Sequence, residues 1–199
     1  MVLCLLLPGL AKVGQFAQRT LMPQDIYWFD DFDLDDMKHF AESFSEHRYG
    51  FVVTPNTDHL LRLREDTALR GAYAEASAIT LDSRFVSMVV RAVRGIRLPV
   101  CTGSDLTASL FNSVIRANDK VVLIGSTAEQ AQRLRRRYGL SNLVHHNPPM
   151  GFVRDARATE TCLEFIEANS PFRFCLLAVG SPQQELIAQR LRQRLIARG

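Results

Sequence analysis

The stretch "KVVLIGSTAEQAQRLRRRYG", residues 120–139, joins a short apolar run to a helical pattern. Its first part, VVLIG, is nearly continuously apolar, as expected of a strand that is buried on both faces of a parallel sheet. Its second part is amphipathic, and Gly139 stands where a helix would end, because glycine readily adopts the left-handed conformation there. The stretch therefore predicts one strand followed by one helix.

The same order of strand and helix repeats along the chain. Four further apolar runs predict strands, and helical patterns follow them. These runs are "YGFVVTP", "SAITLDS", "SNLVHHN" and "FRFCLLAVGS". The first of the helical patterns, "HLLRLREDTALRGAYAEA", predicts a single helix. Such alternation predicts an α/β, Rossmann-like fold, in which a mostly parallel sheet carries helices on both faces. Since no linker or internal repeat interrupts the pattern, we expect residues 1–199 to form a single domain.

The N-terminal stretch "MVLCLLLPGLAKVG" is apolar but too short for a transmembrane helix. It also lacks the basic start and the small-residue cleavage site of a signal peptide. We therefore expect residues 1–22 to be a loosely ordered leader, or the start of the chain to be misassigned. No other apolar span approaches the roughly 20 residues that a membrane crossing needs, so the sequence does not predict an integral membrane protein.

Composition and cysteine spacing argue against a nucleic-acid partner and against a metal bound by cysteines. The chain has 24 Lys and Arg and 21 Asp and Glu residues, a net charge of +3, which gives no support to a nucleic-acid partner. The four cysteines form neither a CxxC pair nor a metal-ligand spacing. They are Cys4, Cys101, Cys162 and Cys175. We infer free thiols in a reducing cytoplasm.

Two polar stretches predict the starts of helices. The acidic stretch "FDDFDLDDMKHF", residues 29–40, contains a DxD of the kind that binds a metal in some sugar transferases. Here it opens a helical pattern of apolar residues, which favours a solvated helix start over a metal site. In "GSDLTASLFNSVIRAN", Ser104 or Asp105 is the expected N-cap.

Polar or flexible residues follow every predicted strand. In open α/β sheets, ligands bind at the carboxyl ends of the strands. Caps and turns use the same residue types, but five such strand ends on one rim favour a binding cleft. The residues concerned are Thr54, Asn56 and Asp58, then Asp82, then Ser126 and Thr127, then His145 and His146, and then Ser181, Gln183, Gln184 and Glu185.

Three of these strand ends allow specific interpretations. Asp82 directly follows an apolar strand, so it is either a general base or the N-cap of the next helix. Gly125 and Ser126 precede a helix N-terminus, which suits a phosphate. The adjacent His145 and His146 point to opposite faces of a strand, so they do not share a metal, and one of them faces the cleft. A dinucleotide-dependent oxidoreductase would need a glycine fingerprint where the chain has "VVTPNTDH".

Six stretches together resemble the WecG/TagA/CpsF glycosyltransferases (glycosyltransferase family 26). They are "TPNTDHLLRLRED", "ITLDS", "TGSDL", "VVLIGST", "HHNPPMGF" and "VGSPQQE". The resemblance implies an inverting enzyme that moves a hexose or N-acetylhexosamine-type sugar from a UDP-sugar to a polyprenyl-pyrophosphate-linked saccharide in cell-surface polysaccharide synthesis. Such an enzyme would be cytoplasmic and peripheral at the inner face of the cytoplasmic membrane, and it would need no metal or other cofactor.

The resemblance also implies roles for individual residues. The strand-end aspartate of the family, the proposed base, matches Asp82. With the strand-end residues above, the predicted substrate-binding set is Thr54, Asn56, Gly103, Asp105, Gly125, Ser126, His146, Gly180, Gln184 and Glu185. Asp58 is expected only to cap a helix.

Three departures from the family pattern leave an alternative open. Ser83 stands where the family usually has glycine. Val100 stands where it often has arginine, so a positive charge near the leaving phosphates is missing or comes from Arg84 or Arg97. The chain ends at "LIARG", where family members continue through another strand and a basic segment. The alternative is a truncated, non-catalytic nucleotide-sugar-binding protein. If the apolar side of the last helix lies open, we expect a homo-oligomer.

Overall fold

The sheet joins five parallel strands through one strand that runs against them. The computed structural model describes residues 2–5, 29–30, 32–43 and 49–198. In these residues the sheet has six strands, in the order β3-β2-β1-β6-β4-β5, and β1 is antiparallel to both of its neighbours. The strands are β1 (Val2–Leu5), β2 (Gly50–Val53), β3 (Ala78–Ile79), β4 (Val121–Gly125), β5 (Leu143–His146) and β6 (Phe174–Ala178).

Helices cover both faces of this sheet, so the predicted α/β, Rossmann-like fold is confirmed. A π-helical turn at Leu110–Val114 and a 3-10 turn at Phe152–Arg154 accompany them. The helices are α1 (Leu34–Ser43), α2 (Thr57–Arg62), α3 (Thr67–Glu75), α4 (Arg84–Arg94), α5 (Gly103–Ser109), α6 (Ala128–Tyr138), α7 (Ala156–Ala168) and α8 (Gln183–Arg198).

The two faces of the sheet carry separate apolar cores because successive side chains of a strand point to opposite faces. On β4, Val122 and Ile124 pack into one core with side chains from α3, α7 and α8. Val121 and Leu123 pack into the other core with side chains from α1, α5 and α6. This double burial explains why the strands are continuous apolar runs.

The prediction of a loosely ordered leader is wrong for residues 2–5, which form β1 in the middle of the sheet. Leu3 pairs with Val52 of β2 on one side and with Leu176 of β6 on the other. A strand that lies between two others is often a short apolar run, as residues 2–5 are. The sequence offered no alternating pattern there that would have identified these residues as a strand. Residues 6–22 lie outside the described part of the chain.

Helix boundaries differ from the predictions in two places. The single helix expected over "HLLRLREDTALRGAYAEA" is two helices, because Asp66 accepts a hydrogen bond from the amide of Leu69 and starts α3. The N-cap of α5 is Thr102 rather than Ser104 or Asp105, since the Thr102 hydroxyl accepts a hydrogen bond from the Asp105 amide at 3.1 Å. Both boundaries depend on which of several neighbouring polar residues meets the helix amides.

Other local predictions are confirmed. Gly139 ends α6 in the left-handed conformation, with φ of 62°. In the acidic stretch, Asp33 accepts hydrogen bonds from the amides of Asp35 and Asp36 at the start of α1. The thiols of Cys101 and Cys162 are free and buried, and Cys175 is buried as well. On α8, Ile187 and Leu191 are buried, so core packing accounts for the described apolar side of that helix.

Gly125 is required by a close approach of two strands. It ends β4 with φ of 87°, and a Cβ atom added there would lie 2.4 Å from the carbonyl oxygen of Ala178 on β6. Real Cβ atoms do not approach a backbone oxygen so closely, and a backbone atom in a sheet has little freedom to move away. The glycine therefore lets β4 and β6 stay paired up to their carboxyl ends.

We expect Gly125→Ala to lower the free energy of unfolding by about 2–5 kcal/mol, because it combines left-handed backbone strain with overpacking. The matched control is Gly139→Ala, which meets the same backbone strain but has no atom within 4 Å of the added carbon. That variant should lose only about 1–2 kcal/mol. Urea unfolding of the two variants measures the difference, and equal losses would contradict the steric argument.

Candidate active site

The carboxyl ends of the five parallel strands lie along one edge of the sheet. Because β1 is antiparallel, its amino end lies at this edge, between the ends of β2 and β6. The ends of β2 and β6 are thus two strand spacings apart, about 10 Å. A strand's amino end brings no strand-to-helix turn to that edge. The turns that follow β2 and β6, at Thr54 and Gly180, therefore flank the amino end of β1, and we call the space between them the gap.

Three predicted site residues come together beside β2 and β3. The carboxylate of Asp82 accepts a hydrogen bond from the amide of Gly103 through Oδ2, at 3.0 Å. A Cβ atom added to Gly103 would lie 2.7 Å from the hydroxyl oxygen of Thr54 and 3.5 Å from Asp82 Oδ2. Thr54 is itself buried. The sequence separates these residues widely, and the sheet edge brings them into contact.

The interpretation of Asp82 as the N-cap of the following helix is wrong. Ser83 caps α4, since its hydroxyl accepts a hydrogen bond from the amide of Val86 at 3.1 Å. Asp82 instead binds the first amide of α5, and its own amide donates to the carbonyl oxygen of Pro55 at 2.9 Å. Oδ1 of Asp82 accepts no hydrogen bond from the described residues. The carboxylate is thus held at one oxygen and open at the other.

Asp82 borders an open groove of about 510 Å³. Next to the carboxylate, the groove is lined by the first residues of α5. At its far end, Phe111 stacks on Tyr138, with ring centroids 4.7 Å apart and 19° between the ring planes. The remaining lining residues are Ser104, Thr107, Ala108 and Leu134. The groove therefore runs from a carboxylate, past hydroxyl groups, to a pair of aromatic rings.

Cys101 lies behind this groove, just before the N-cap of α5. Its side chain is 1 % exposed. Burial, together with the nearby charges of Asp105 and Asp82, raises the pKa of its thiol to about 11. The cysteine therefore remains protonated at neutral pH.

At the end of β2, Asn56 caps α2 in place of Asp58. Its side-chain oxygen accepts a hydrogen bond from the backbone amide of His59, and the backbone amide of Asn56 donates to Nδ1 of the His59 ring. Asp58 instead forms an ion pair with Arg62 at 2.9 Å. Arg62 also donates to the carbonyl oxygen of Ser181 at 3.3 Å. This arginine therefore places a positive charge at the gap between β2 and β6.

The end of β6 carries a buried polar cluster. Gln184 and Glu185 are 4 % and 1 % exposed, and Gln184 donates to Glu185 Oε1 at 3.0 Å. Oε2 of Glu185 and the hydroxyl of Tyr73 have no hydrogen-bond partner among the described residues. Burial, and then the charge of Glu185, raises the pKa of Tyr73. Burial lowers the pKa of His59, whereas the charge of Glu185 acts to raise it.

The ends of β4 and β5 use much of their polarity within the fold. Ser126 has φ of 67°, which is uncommon for a residue other than glycine. Thr127 and Gln130 form a capping box that occupies two amides at the start of α6. The His145 ring contacts the carbonyl oxygen of Gly125 at 2.9 Å. A phosphate site at Gly125 and Ser126 stays a prediction.

His146 points away from His145, as the strand geometry predicted. Its ring stacks on Phe165 of α7, with centroids 5.0 Å apart. Its Nε2 atom is buried without a hydrogen-bond partner in the described part of the chain. Burial, and then the charge of His145, lowers the pKa of His146. The imidazole is therefore neutral near pH 7.

The chain is similar to one known family of enzymes. The chain matches the Glycosyl transferase WecG/TagA/CpsF family over residues 26–198. The chain belongs to the WecG/TagA/CpsF family. A comparison with curated proteins gives no significant match. As a WecG/TagA/CpsF glycosyltransferase of polysaccharide synthesis, it has a sugar donor and an acceptor as its partners.

Two of the three departures from the family pattern, Ser83 and Val100, lie beside Asp82. Val100 is half-buried and forms a parallel bridge with Leu81, directly before the aspartate. Arg84 and Arg97 are exposed. Arg62, which the sequence did not single out, is the arginine that contacts the end of β6. Its only sequence signal was its position one turn after the polar turn at β2.

The described residues contain neither a metal-binding cluster nor a membrane-spanning helix. No group of three or more His, Cys, Asp and Glu side chains there could hold a metal ion. None of the described helices is both long and apolar enough to pass through a bilayer. Sequence reasoning missed Phe111, Tyr138 and Tyr73, because aromatic residues at helical spacing are read first as core.

The contact between Gly103 and Thr54 generates a prediction. We expect Gly103→Ala to lower the free energy of unfolding by about 1–3 kcal/mol, because the new methyl group overlaps the Thr54 hydroxyl. In a Thr54→Ala background the same substitution should cost much less, since the overlapping atom is gone. A double-mutant cycle from urea unfolding measures this coupling. Additive losses would mean that the two residues do not constrain each other.

Proposed function

We propose that the protein transfers a hexose or N-acetylhexosamine-type sugar from a UDP-sugar to a lipid-pyrophosphate-linked saccharide, with inversion and with Asp82 as the general base. The observation that carries the proposal is the Asp82 carboxylate, which is fixed through Oδ2 to the amide of Gly103 and borders an open groove. The membership in the WecG/TagA/CpsF family supports the reaction class.

The proposed reaction is a single displacement. A hydroxyl of the acceptor gives its proton to Oδ1 of Asp82 as its oxygen attacks the anomeric carbon of the donor sugar. The bond from that carbon to the diphosphate oxygen breaks, and UDP leaves with the electron pair. One displacement inverts the anomeric centre. The anchored Oδ2 supports this role, because a base must hold its position while the proton moves.

The donor is proposed to lie in the gap between the ends of β2 and β6. Thr54 and Asn56 line one side, and the segment from Gly180 to Glu185 lines the other. Arg62 reaches from α2 to the carbonyl oxygen of Ser181 across this gap. Its guanidinium is proposed to stabilise the departing diphosphate, which supplies the charge that Val100 does not.

The acceptor saccharide is proposed to lie in the groove beside Asp82. Sugars present both hydroxyl groups and apolar C–H faces, and the groove offers Ser104 and Thr107 as well as the aromatic pair of Phe111 and Tyr138. An acceptor hydroxyl near Gly103 would then reach the open carboxylate oxygen. This arrangement keeps donor and acceptor on different sides of Asp82.

A lipid-linked acceptor implies a membrane surface as a partner. We propose that the protein works in the cytoplasm, peripherally at the inner face of the cytoplasmic membrane. A homo-oligomer remains part of the proposal only as an expectation from sequence. Of the apolar side chains of α8 that suggested it, Ile187 and Leu191 are buried in the core.

A second candidate function is nucleotide-sugar binding without turnover. Val100 favours it, because the family often has arginine at this position. The rim of polar strand ends would serve such a protein equally well. The two candidates differ only in whether bound donor is consumed, which the two experiments below separate.

For the donor site, we expect UDP to bind more tightly than AMP or NAD in a calorimetric titration. Arg62→Gln should weaken UDP binding by about tenfold, equivalent to about 1.4 kcal/mol, because a charge-assisted contact to the diphosphate is lost. Uridine should bind the variant and the wild type alike. The control Arg133→Gln removes a paired, exposed arginine on α6 and should change nothing. Equal affinities for UDP, AMP and NAD would refute the donor assignment.

For the base, we expect Asp82→Asn to lower turnover by about 10²–10⁴ with UDP-N-acetylmannosamine or UDP-glucose and an alkyl-diphosphate saccharide. UDP affinity and melting temperature should hold, since an asparagine oxygen still accepts the Gly103 hydrogen bond. The matched control is Asp66→Asn, because Asp66 is an aspartate that only caps a helix.

Three results of this experiment are informative. Loss of turnover in the Asp82 variant alone supports transfer with this base. Wild-type turnover in that variant leaves the reaction but removes Asp82 as the base. UDP binding without turnover in the wild type favours the second candidate function.

A further inference from the structure

The outer face of α4 carries large apolar side chains in water. Four of the six exposed large apolar residues in the described part of the chain lie on this one helix. They are Phe85, Met88, Val89 and Val93, which are 63, 61, 40 and 71 % exposed. Only Val90 of α4 is buried. A helix packed onto a sheet normally buries such residues against the sheet. A large exposed apolar patch of this kind is typical of an interaction surface.

Arginines border the same face. Arg84, Arg91 and Arg94 lie on α4, and Arg97 follows it, all exposed. None of the four forms an ion pair with the described residues, whereas Arg62, Arg133 and Arg173 elsewhere do. From Ser83 to Ser104 the sequence contains no Asp or Glu. The positive charge on this surface is therefore uncompensated.

We propose that α4 docks the protein on the surface of an anionic phospholipid bilayer. An exposed helix with an apolar face beside arginines and without acidic residues has the composition of interfacial membrane helices. Phe85, Met88, Val89 and Val93 enter the boundary between headgroups and acyl chains. The arginines contact lipid phosphates, and their long side chains let them do so while the helix lies flat.

The positive charge around the apolar face favours an anionic membrane over a second copy of the chain or another protein. A second copy of the chain would bring its own unpaired arginines to the same surface, and like charges would oppose that contact. A protein partner would need acidic residues around an apolar patch. An anionic bilayer supplies both the apolar layer and the negative phosphates, over an area that matches a whole helix.

The position of α4 connects the membrane to the site. The helix begins at Arg84, two residues after Asp82, and Phe85 lies in its first turn. With α4 on the bilayer, the groove beside Asp82 opens near the level of the lipid headgroups. A diphosphate-linked acceptor could then reach the groove while its lipid stays in the membrane. This last step rests on the proposed function, but the docking of α4 does not.

Vesicle sedimentation tests the proposal with the full chain. We expect binding to vesicles of phosphatidylcholine with one third phosphatidylglycerol and little binding to phosphatidylcholine alone. The double variant Phe85→Ser/Met88→Ser should bind at least about tenfold more weakly. Its matched control, Leu61→Ser/Met150→Ser, removes two other exposed apolar side chains, 60 and 100 % exposed, and should bind as the wild type does.

The charge is tested in the same way. Arg91→Gln/Arg94→Gln should weaken binding by about 25-fold, at about fivefold for each arginine. The control pair Arg133→Gln/Arg136→Gln has the same spacing on another exposed helix, α6, and should have little effect. Melting temperature and UDP affinity should hold in all four variants, because none of these residues lies in the core or contacts the site.

Fluorescence shows whether α4 itself enters the bilayer. On adding anionic vesicles, Met88→Trp should gain blue-shifted emission relative to the wild type, and Met150→Trp should not. Absence of vesicle binding, binding retained in Phe85→Ser/Met88→Ser, or an unshifted Met88→Trp would each overturn the proposal. A dimer in light scattering that this double variant dissolves would assign the face to a second copy instead. The vesicle-binding and fluorescence assays contain no nucleotide, so their failure is distinct from a failed UDP titration.

Discussion

The backbone ladder of β1 holds the two halves of the sheet together. On one side lie β2 and β3, and on the other lie β6, β4 and β5. Within the described residues no other strand connects these halves. The four residues Val2–Leu5 thus lie between the Thr54 rim and the Gly180 rim. Helices α3 and α8 also link the two halves, since Gln189 and Arg192 donate hydrogen bonds to Glu75. Because β1 contributes its amino end to the site edge, the gap there remains free of a strand-to-helix loop.

The two sides of that gap differ in how firmly they are built. Gly103 is hydrogen-bonded to Asp82 and packs against Thr54, and a single carbon added at Gly103 would displace the Thr54 hydroxyl. Across the gap, Arg62 donates to the carbonyl oxygen of Ser181, and the same exposed arginine also forms an ion pair with Asp58. A fixed base and an adaptable cation suit a reaction in which one group must keep its position while a charged product leaves.

The sequence allowed the strands, the faces of the helices and the identity of most rim residues to be predicted. Continuous apolar runs such as "KVVLIGS" require burial on both faces, and that requirement is local. The antiparallel β1 could not be predicted, because four apolar residues near a terminus carry no directional signal. The hydrogen-bond partner of Asp82 could not be predicted either. Whether a strand-end carboxylate caps the next helix or holds a more distant one depends on where the chain returns.

Caps were the least predictable details of the site. Several neighbouring residues in "TPNTDHL" and in "CTGSDL" can accept a helix amide, and the sequence does not rank them. In the folded chain Asn56 and Thr102 do so. The charges left over, on Asp58 and Asp105, then serve other contacts or face solvent. Functional assignments that rest on one polar residue among several therefore need the coordinates.

The burial of Cys101 has a consequence for redox chemistry. Nucleophilic attack on peroxide or on an alkylating reagent requires the thiolate, and a pKa of about 11 leaves only about one thiolate in ten thousand at neutral pH. The wall behind Asp82 is thus insensitive to oxidants as long as it stays closed. Any reaction of Cys101 would require α5 to lift from the sheet. The rate at which a thiol reagent modifies this cysteine therefore reports how often the groove comes apart.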